Sequence, residues 1–147
     1  MDRRPILVVE DNPDDQLLML RALKKNHIAN PIVIARDGVE ALDYLFARGQ
    51  SEGRIQAEIP ALILLDLKLP KVDGFEVLRT IRADPRLKYI PVVILTSSNQ
   101  DRDIIEGYDL GANSYVRKPI DFEEFVDATG KLGLYWLLVN KQPPIAD

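Results

Sequence analysis

Cysteine is absent from the 147 residues, and histidine occurs once, as His27. Without cysteine the chain has no disulfides, no thiol nucleophile and no thiolate-bound metal. A single histidine at the end of a helical pattern suits a helix dipole better than ligation or proton transfer, and is not read as a phosphodonor. Long apolar runs are missing as well. No segment approaches the roughly 20 residues of a membrane span, and Ile6 to Val9 is too short for a signal-peptide core. There is no Lys/Arg run that could track a phosphate backbone, and the formal charge is −4, which argues against nucleic acid. A soluble, cytoplasmic protein without membrane or nucleic-acid partners is expected.

What is present is globular in composition. Hydrophobic residues make up 46% and charged residues 29%, enough apolar content to exclude wholesale disorder. The length suits one domain with one complete core, and a single domain is expected over residues 1–147. No short-period repeat, low-complexity tract or linker interrupts it.

The organising stretch is Ala61-Leu62-Ile63-Leu64-Leu65-Asp66-Leu67-Lys68-Leu69-Pro70. An apolar run without polar alternation reads as a strand covered on both faces, as in parallel sheets. It ends in one carboxylate, Asp66, at the edge where open α/β sheets place their ligand crevice. Taken alone, Asp66 could equally cap the following turn.

Four further runs repeat this grammar: Ile6 to Val9, Pro31 to Ala35, Pro91 to Thr96, and Ser114 to Pro119, the last less apolar and so expected at a sheet edge. Helical patterns alternate with them. Asn12 can cap, Pro13 suits the first helical position, and Asp14 and Asp15 favour the positive end of the dipole. Leu17, Leu20 and Leu23 form the expected inward stripe up to about Asn26. Val39, Leu42, Leu45 and Phe46 follow Asp37-Gly38. Phe75, Leu78 and Ile81 precede a stop at Asp84-Pro85, because the residue before proline avoids helix. Ser97-Ser98-Asn99 offers caps for a helix through Ile104, Ile105 and Tyr108, closed near Gly111. Asp121 and Glu124 have capping-box spacing before Phe125 and Val126. Residues 48–60 read as a long exposed loop, either a contact loop or an indifferent insertion. Alternating strands and helices predict a parallel α/β sheet.

Glu10, Asp11, Asp66, Thr96 and Lys118 each lie at the carboxyl end of a strand run or one step past it, so a parallel sheet brings them to one edge. Three carboxylates there repel by about 4 kcal/mol per pair at about 4 Å and an effective dielectric of ~20, and call for a cation or raised pKa values. An oxygen-only donor set suits Mg²⁺. Lys118 and the Thr96 hydroxyl would complete an anion pocket.

Together, Glu10-Asp11, Leu65-Asp66 with Pro70 and Gly74 following, Thr96 after its Val/Ile/Leu strand, and Lys118-Pro119 resemble the receiver domain of CheY-like two-component response regulators, from about Ile6 to the last helix. The resemblance implies a single doubly wound (βα)5 fold of flavodoxin/CheY type with strand order 2-1-3-4-5. It implies that Asp66 accepts a phosphoryl group from a sensor histidine kinase. Glu10, Asp11, Asp66 and the backbone carbonyl of Lys68 would hold Mg²⁺, and Lys118 would neutralise the phosphoryl charge. Thr96 and Tyr115 match the switch pair. Lys68 and Ser98 match positions that tune phosphoryl lifetime. A receiver of this kind is not a conventional turnover enzyme. With the whole chain so occupied, signalling to an unknown downstream protein is expected through protein contacts or onward phosphotransfer as a relay intermediate. A receiver-fold module acting without phosphorylation is the rival the acid pair, Asp66 and Lys118 speak against. An aspartate-nucleophile phosphatase would carry Asp-x-Asp after the first strand, where Asp11 is followed by Asn12-Pro13. A flavodoxin-like flavin carrier would need amides and hydroxyls where the first turn is acidic.

The tail, Lys131 to Asn140, is apolar nearly all round when wound as a helix. One reading is a homodimer contact anchored by Tyr135 and Trp136; the other is an intramolecular extension over 132–147. With the 48–60 loop, this tail resembles the small response regulators paired with phytochrome kinases.

Overall fold

The computed structural model describes residues 4–47, 59–67, 69, 72–96, 104, 106, 108–112, 114–117 and 121–127, and of residues 96, 114, 115 and 117 the backbone only. The strands are β1 (Ile6–Val9), β2 (Ile32–Ala35), β3 (Leu62–Asp66), β4 (Val92–Thr96) and β5 (Ser114–Arg117). They form one parallel sheet in the order β2-β1-β3-β4-β5. The expected doubly wound architecture is present, with β5 at an edge. Both central strands β1 and β3 are buried at every residue, while β2, at the opposite edge, is half-buried along most of its length.

Three helices alternate with the strands: α1 (Pro13–Lys25), α2 (Gly38–Leu45) and α3 (Gly74–Ala83). Residues 122–127 are also helical, as are 104, 106, 108 and 109. The period-2 geometry of the strands sorts the core into two layers. Leu7, Val9, Ile63 and Leu65 pack with Leu42, Leu45, Val77, Leu78 and Ile81 of α2 and α3. Ile6, Val8, Leu62 and Leu64 pack on the other face with Met19, Ala22, Leu23 and Phe125. Each large side chain so buried contributes about 1.5–3 kcal/mol relative to exposure.

Helices α1, α2 and α3 and the segment 122–127 start on side-chain caps. Asn12 Oδ1 accepts from the amides of Asp14 and Asp15 at 2.8 and 3.1 Å. Asp37, Asp73 and Asp121 accept from Glu40, Glu76 and Glu124 at 2.8, 3.0 and 2.9 Å. Helix α1 closes on a Schellman turn: the Ile28 amide donates to Leu23 O at 3.1 Å and that of His27 to Lys24 O at 3.0 Å, with His27 at φ 60° where glycine is usual. Asn26 Nδ2 then donates to Val126 O at 2.9 Å, and Lys25 lies 3.6 Å from Glu123, joining α1 to the segment 122–127. Arg82 ties the other layer together. Its Nε and Nη2 donate to Gly111 O at 2.9 and 2.7 Å, and Nη1 donates to the carbonyls of Lys88 and Ile90 at 2.9 and 2.7 Å. Desolvation by burial lowers its pKa below the ordinary arginine value.

Four expected core positions differ. On α1 the inward residues are Met19, Ala22 and Leu23, while Leu17 is 47% exposed and Leu20 half-buried. On α2, Ala41 faces the core and Val39 is exposed. Tyr108 is 48% exposed. The reason is common to the helices: a small side chain allows the backbone to approach the sheet, so Ala22 and Ala41 occupy the innermost row that a count of large apolar residues assigns to leucine or valine. The helix before Gly111 does end there, with the Gly111 amide on Tyr108 O at 3.0 Å.

Candidate metal centre

β1 and β3 are direct neighbours, with Val9 opposite Leu65, so the residues after them share the carboxyl edge of the sheet. There Glu10, Asp11 and Asp66 each offer a carboxylate oxygen within 4.8 Å of the other two. Glu10 is wholly buried, Asp66 is 5% exposed and Asp11 is open to solvent. Asp66, which taken alone could equally cap a turn, thus lies inside a cluster of carboxylates.

Glu10 is fixed from several sides. Its amide donates to Ala35 O at 2.9 Å, its Oε2 accepts from the Asn12 amide at 3.1 Å, and its carbonyl accepts from Gln16 Nε2 at 2.6 Å. Gln16 was not among the expected site residues. The available signal was its place in the first turn of α1, from which a helical side chain leans toward the amino terminus and back to the strand end. Asp66 is positioned by α3. The Gly74 amide donates to Leu67 O at 3.0 Å, and a Cβ on Gly74 would stand 2.4 Å from Asp66 O, so glycine is what lets the helix close on the strand end.

Three carboxylates this close repel by about 3–4 kcal/mol per pair at an effective dielectric of ~20. The donor set is all oxygen, with one ligand held rigidly in the interior and one facing water, and it fits a hard divalent cation with room for water.

Thr96 ends β4, one residue past Leu95, which pairs with Asp66, and stands opposite Arg117 in β5; Tyr115 pairs with Ile94. The backbone thus brings Thr96 to the same edge. Lys68, Ser98 and Lys118, most of the 48–60 loop, and Tyr135 and Trp136 with the 132–147 extension lie outside the described residues. Exposed His27 stands at the end of α1, away from the acids.

The chain matches the family described as the response regulator receiver domain over residues 6–129. It is 43% identical over 138 residues to a probable methanogenesis regulatory protein, FilR2, of Methanothrix harundinacea, covering 94% of this chain and 86% of that protein. Among solved structures, the phosphorylated cyanobacterial phytochrome response regulator RcpA superposes with a TM-score of 0.85 at 38% identity, covering 97% of this chain and 100% of that one. The Mn²⁺-bound form of the response regulator Rcp1, a Synechocystis protein, gives 0.83 at 38% identity, covering 96% and 99%.

Proposed function

The chain belongs to the response regulator receiver family, and from that premise we propose that Asp66 is its phosphoacceptor, serving a sensor histidine kinase with Mg²⁺ held at Glu10, Asp11 and Asp66. The observation that carries this reading is the meeting of those three carboxylates at one sheet edge. An Asp66 oxygen attacks phosphorus, the bond from phosphorus to the kinase imidazole breaks, and an acyl phosphate forms. Bound Mg²⁺ supplies charge neutralisation for the transferring phosphoryl group. The Lys68 carbonyl completes the protein ligands, Lys118 pairs with the phosphoryl oxygens, Thr96 donates a hydrogen bond to one of them, and Tyr115 changes rotamer as Thr96 moves. Hydrolysis by water returns Asp66, so phosphorylation shifts a conformational equilibrium and then decays.

The test is intact mass after incubation with Mg²⁺ and acetyl phosphate, or with a phosphorylated histidine kinase, for wild type and Asp66→Asn. A labile phosphoryl adduct is expected on wild type alone; its absence with both donors would overturn the reading.

We assign the kinase to the phytochrome class, on the likeness to RcpA. Because a methanogenesis regulator is similarly close in sequence, the deciding experiment is phosphotransfer from a phytochrome kinase under red and far-red light. Equal transfer from an unrelated kinase would remove the assignment. We further propose that residues 1–147 form one receiver domain acting in the cytoplasm, and that residues 132–147, through Tyr135 and Trp136, join two copies. A Trp136→Ala variant that kept its dimeric mass by light scattering would count against that contact.

A further inference from the structure

The segment that follows Asp66 is gripped by glycine at both ends, and only one of the two grips comes from the helix that follows it. Gly74 of α3 closes on Asp66 and Leu67, as above. At the other end, Gly38, the first residue of α2, lies so close to Val72 that a Cβ there would stand 2.0 Å from Val72 O and 2.8 Å from Val72 C. Both obstacles are backbone, so no rotamer change relieves them. Gly38 is buried, and its position is fixed by the Asp37 cap, whose side chain accepts from Glu40 N at 2.8 Å and whose carbonyl accepts from Ala41 N at 3.1 Å. Val72 cannot retreat freely either, because Gly74, two residues on, is bonded to Leu67.

We infer that Gly38 is a positioning residue for phosphorylation: by admitting the Val72 peptide against the start of α2, it seats the start of α3, whose Gly74 closes on Asp66 and Leu67. This rests on the receiver reading, in which Asp66 is both phosphoacceptor and metal ligand. An added methyl at Gly38 displaces Val72 and, through Gly74, shifts the strand end that carries Asp66, with every acid of the cluster chemically intact. Supporting groups of this kind typically change metal affinity by about 10–100-fold when altered.

The test compares wild type, Gly38→Ala and Met19→Ala, the last a core change in the opposite layer that lowers stability without touching the segment. Free Mn²⁺ is measured by electron paramagnetic resonance, and adduct formation with acetyl phosphate by intact mass, below the melting temperature of all three. Gly38→Ala should weaken Mn²⁺ by about tenfold and slow adduct formation, with Met19→Ala at wild-type values. Equal behaviour of Gly38→Ala and wild type, or equal loss in both variants, would overturn the inference. A wild type that forms no adduct would instead sink the receiver reading. Should Gly38→Ala fail to fold, hydrogen exchange on the wild type decides. Mn²⁺ should slow exchange of the Ala41 and Leu42 amides, and unchanged exchange there would count against Gly38 as a link.

Discussion

The two edges of the sheet treat the peptide backbone in opposite ways. At the carboxyl edge, Gly38 and Gly74 stand where a Cβ would strike neighbouring main chain, around a cluster of acids that repel one another. At the amino edge, where α1 and α2 end, the chain turns through left-handed conformations at His27 (φ 60°) and Ala47 (φ 53°) without using glycine. The first edge lacks space and the second carries conformational strain. At the carboxyl edge glycine admits main chain against main chain; at the amino edge Gly111 (φ 99°) takes one left-handed turn, while His27 and Ala47 take theirs at a cost of about 1–2 kcal/mol each.

Substitutions at the two edges should therefore run in opposite directions. The largest effect is expected from Gly74→Ala. Its Cβ meets Asp66 and Leu67 backbone, so destabilisation at the upper end of about 1–3 kcal/mol is expected, together with slower adduct formation. Denaturant unfolding and intact mass measure the two, and a variant of wild-type stability would show that the approach of α3 to β3 is not tight. Next comes the charge cluster. Mg²⁺ at about a hundredfold its dissociation constant should add about 2.7 kcal/mol to stability, and chelator should remove it. A melting temperature indifferent to both would break the metal reading. Arg82→Ala should cost about 1–3 kcal/mol, because it strips donors from three carbonyls, two of them part-buried; a neutral result in urea would show that water replaces the guanidinium. The smallest effect has the opposite sign. His27→Gly should stabilise by about 0.5–1 kcal/mol, the relief of left-handed strain less the added freedom of the unfolded chain, and leave phosphorylation unchanged. Destabilisation would mean that His27 contributes contacts outweighing its strain.

The asymmetry between the edges also explains what could be read beforehand. Strand ends such as Val9 and Asp66, and the Asn12 and Asp121 caps, are local: an apolar run stops, or a side chain of the right length precedes a helix. The site was legible to the same extent, since a parallel sheet brings strand ends together and Glu10, Asp11 and Asp66 are strand ends. Three-dimensional neighbours were not. Nothing around Gly38 indicates that it touches Val72, more than thirty residues later. Leu17 outranks Ala22 on any hydrophobic scale, yet Ala22 faces the sheet because it is small.

The strand order has a consequence for how the molecule comes into being. β1 and β3 are adjacent, so Glu10, Asp11 and Asp66 can all be in place once the first three strands have paired, before β4 and β5 contribute anything. A partly folded chain would then carry the full mutual repulsion of its acids without the residues that β4 and β5 bring to the same edge. Assembly of the amino-terminal half should accordingly quicken when divalent cations are present, an ion held by the three acids acting as a folding catalyst.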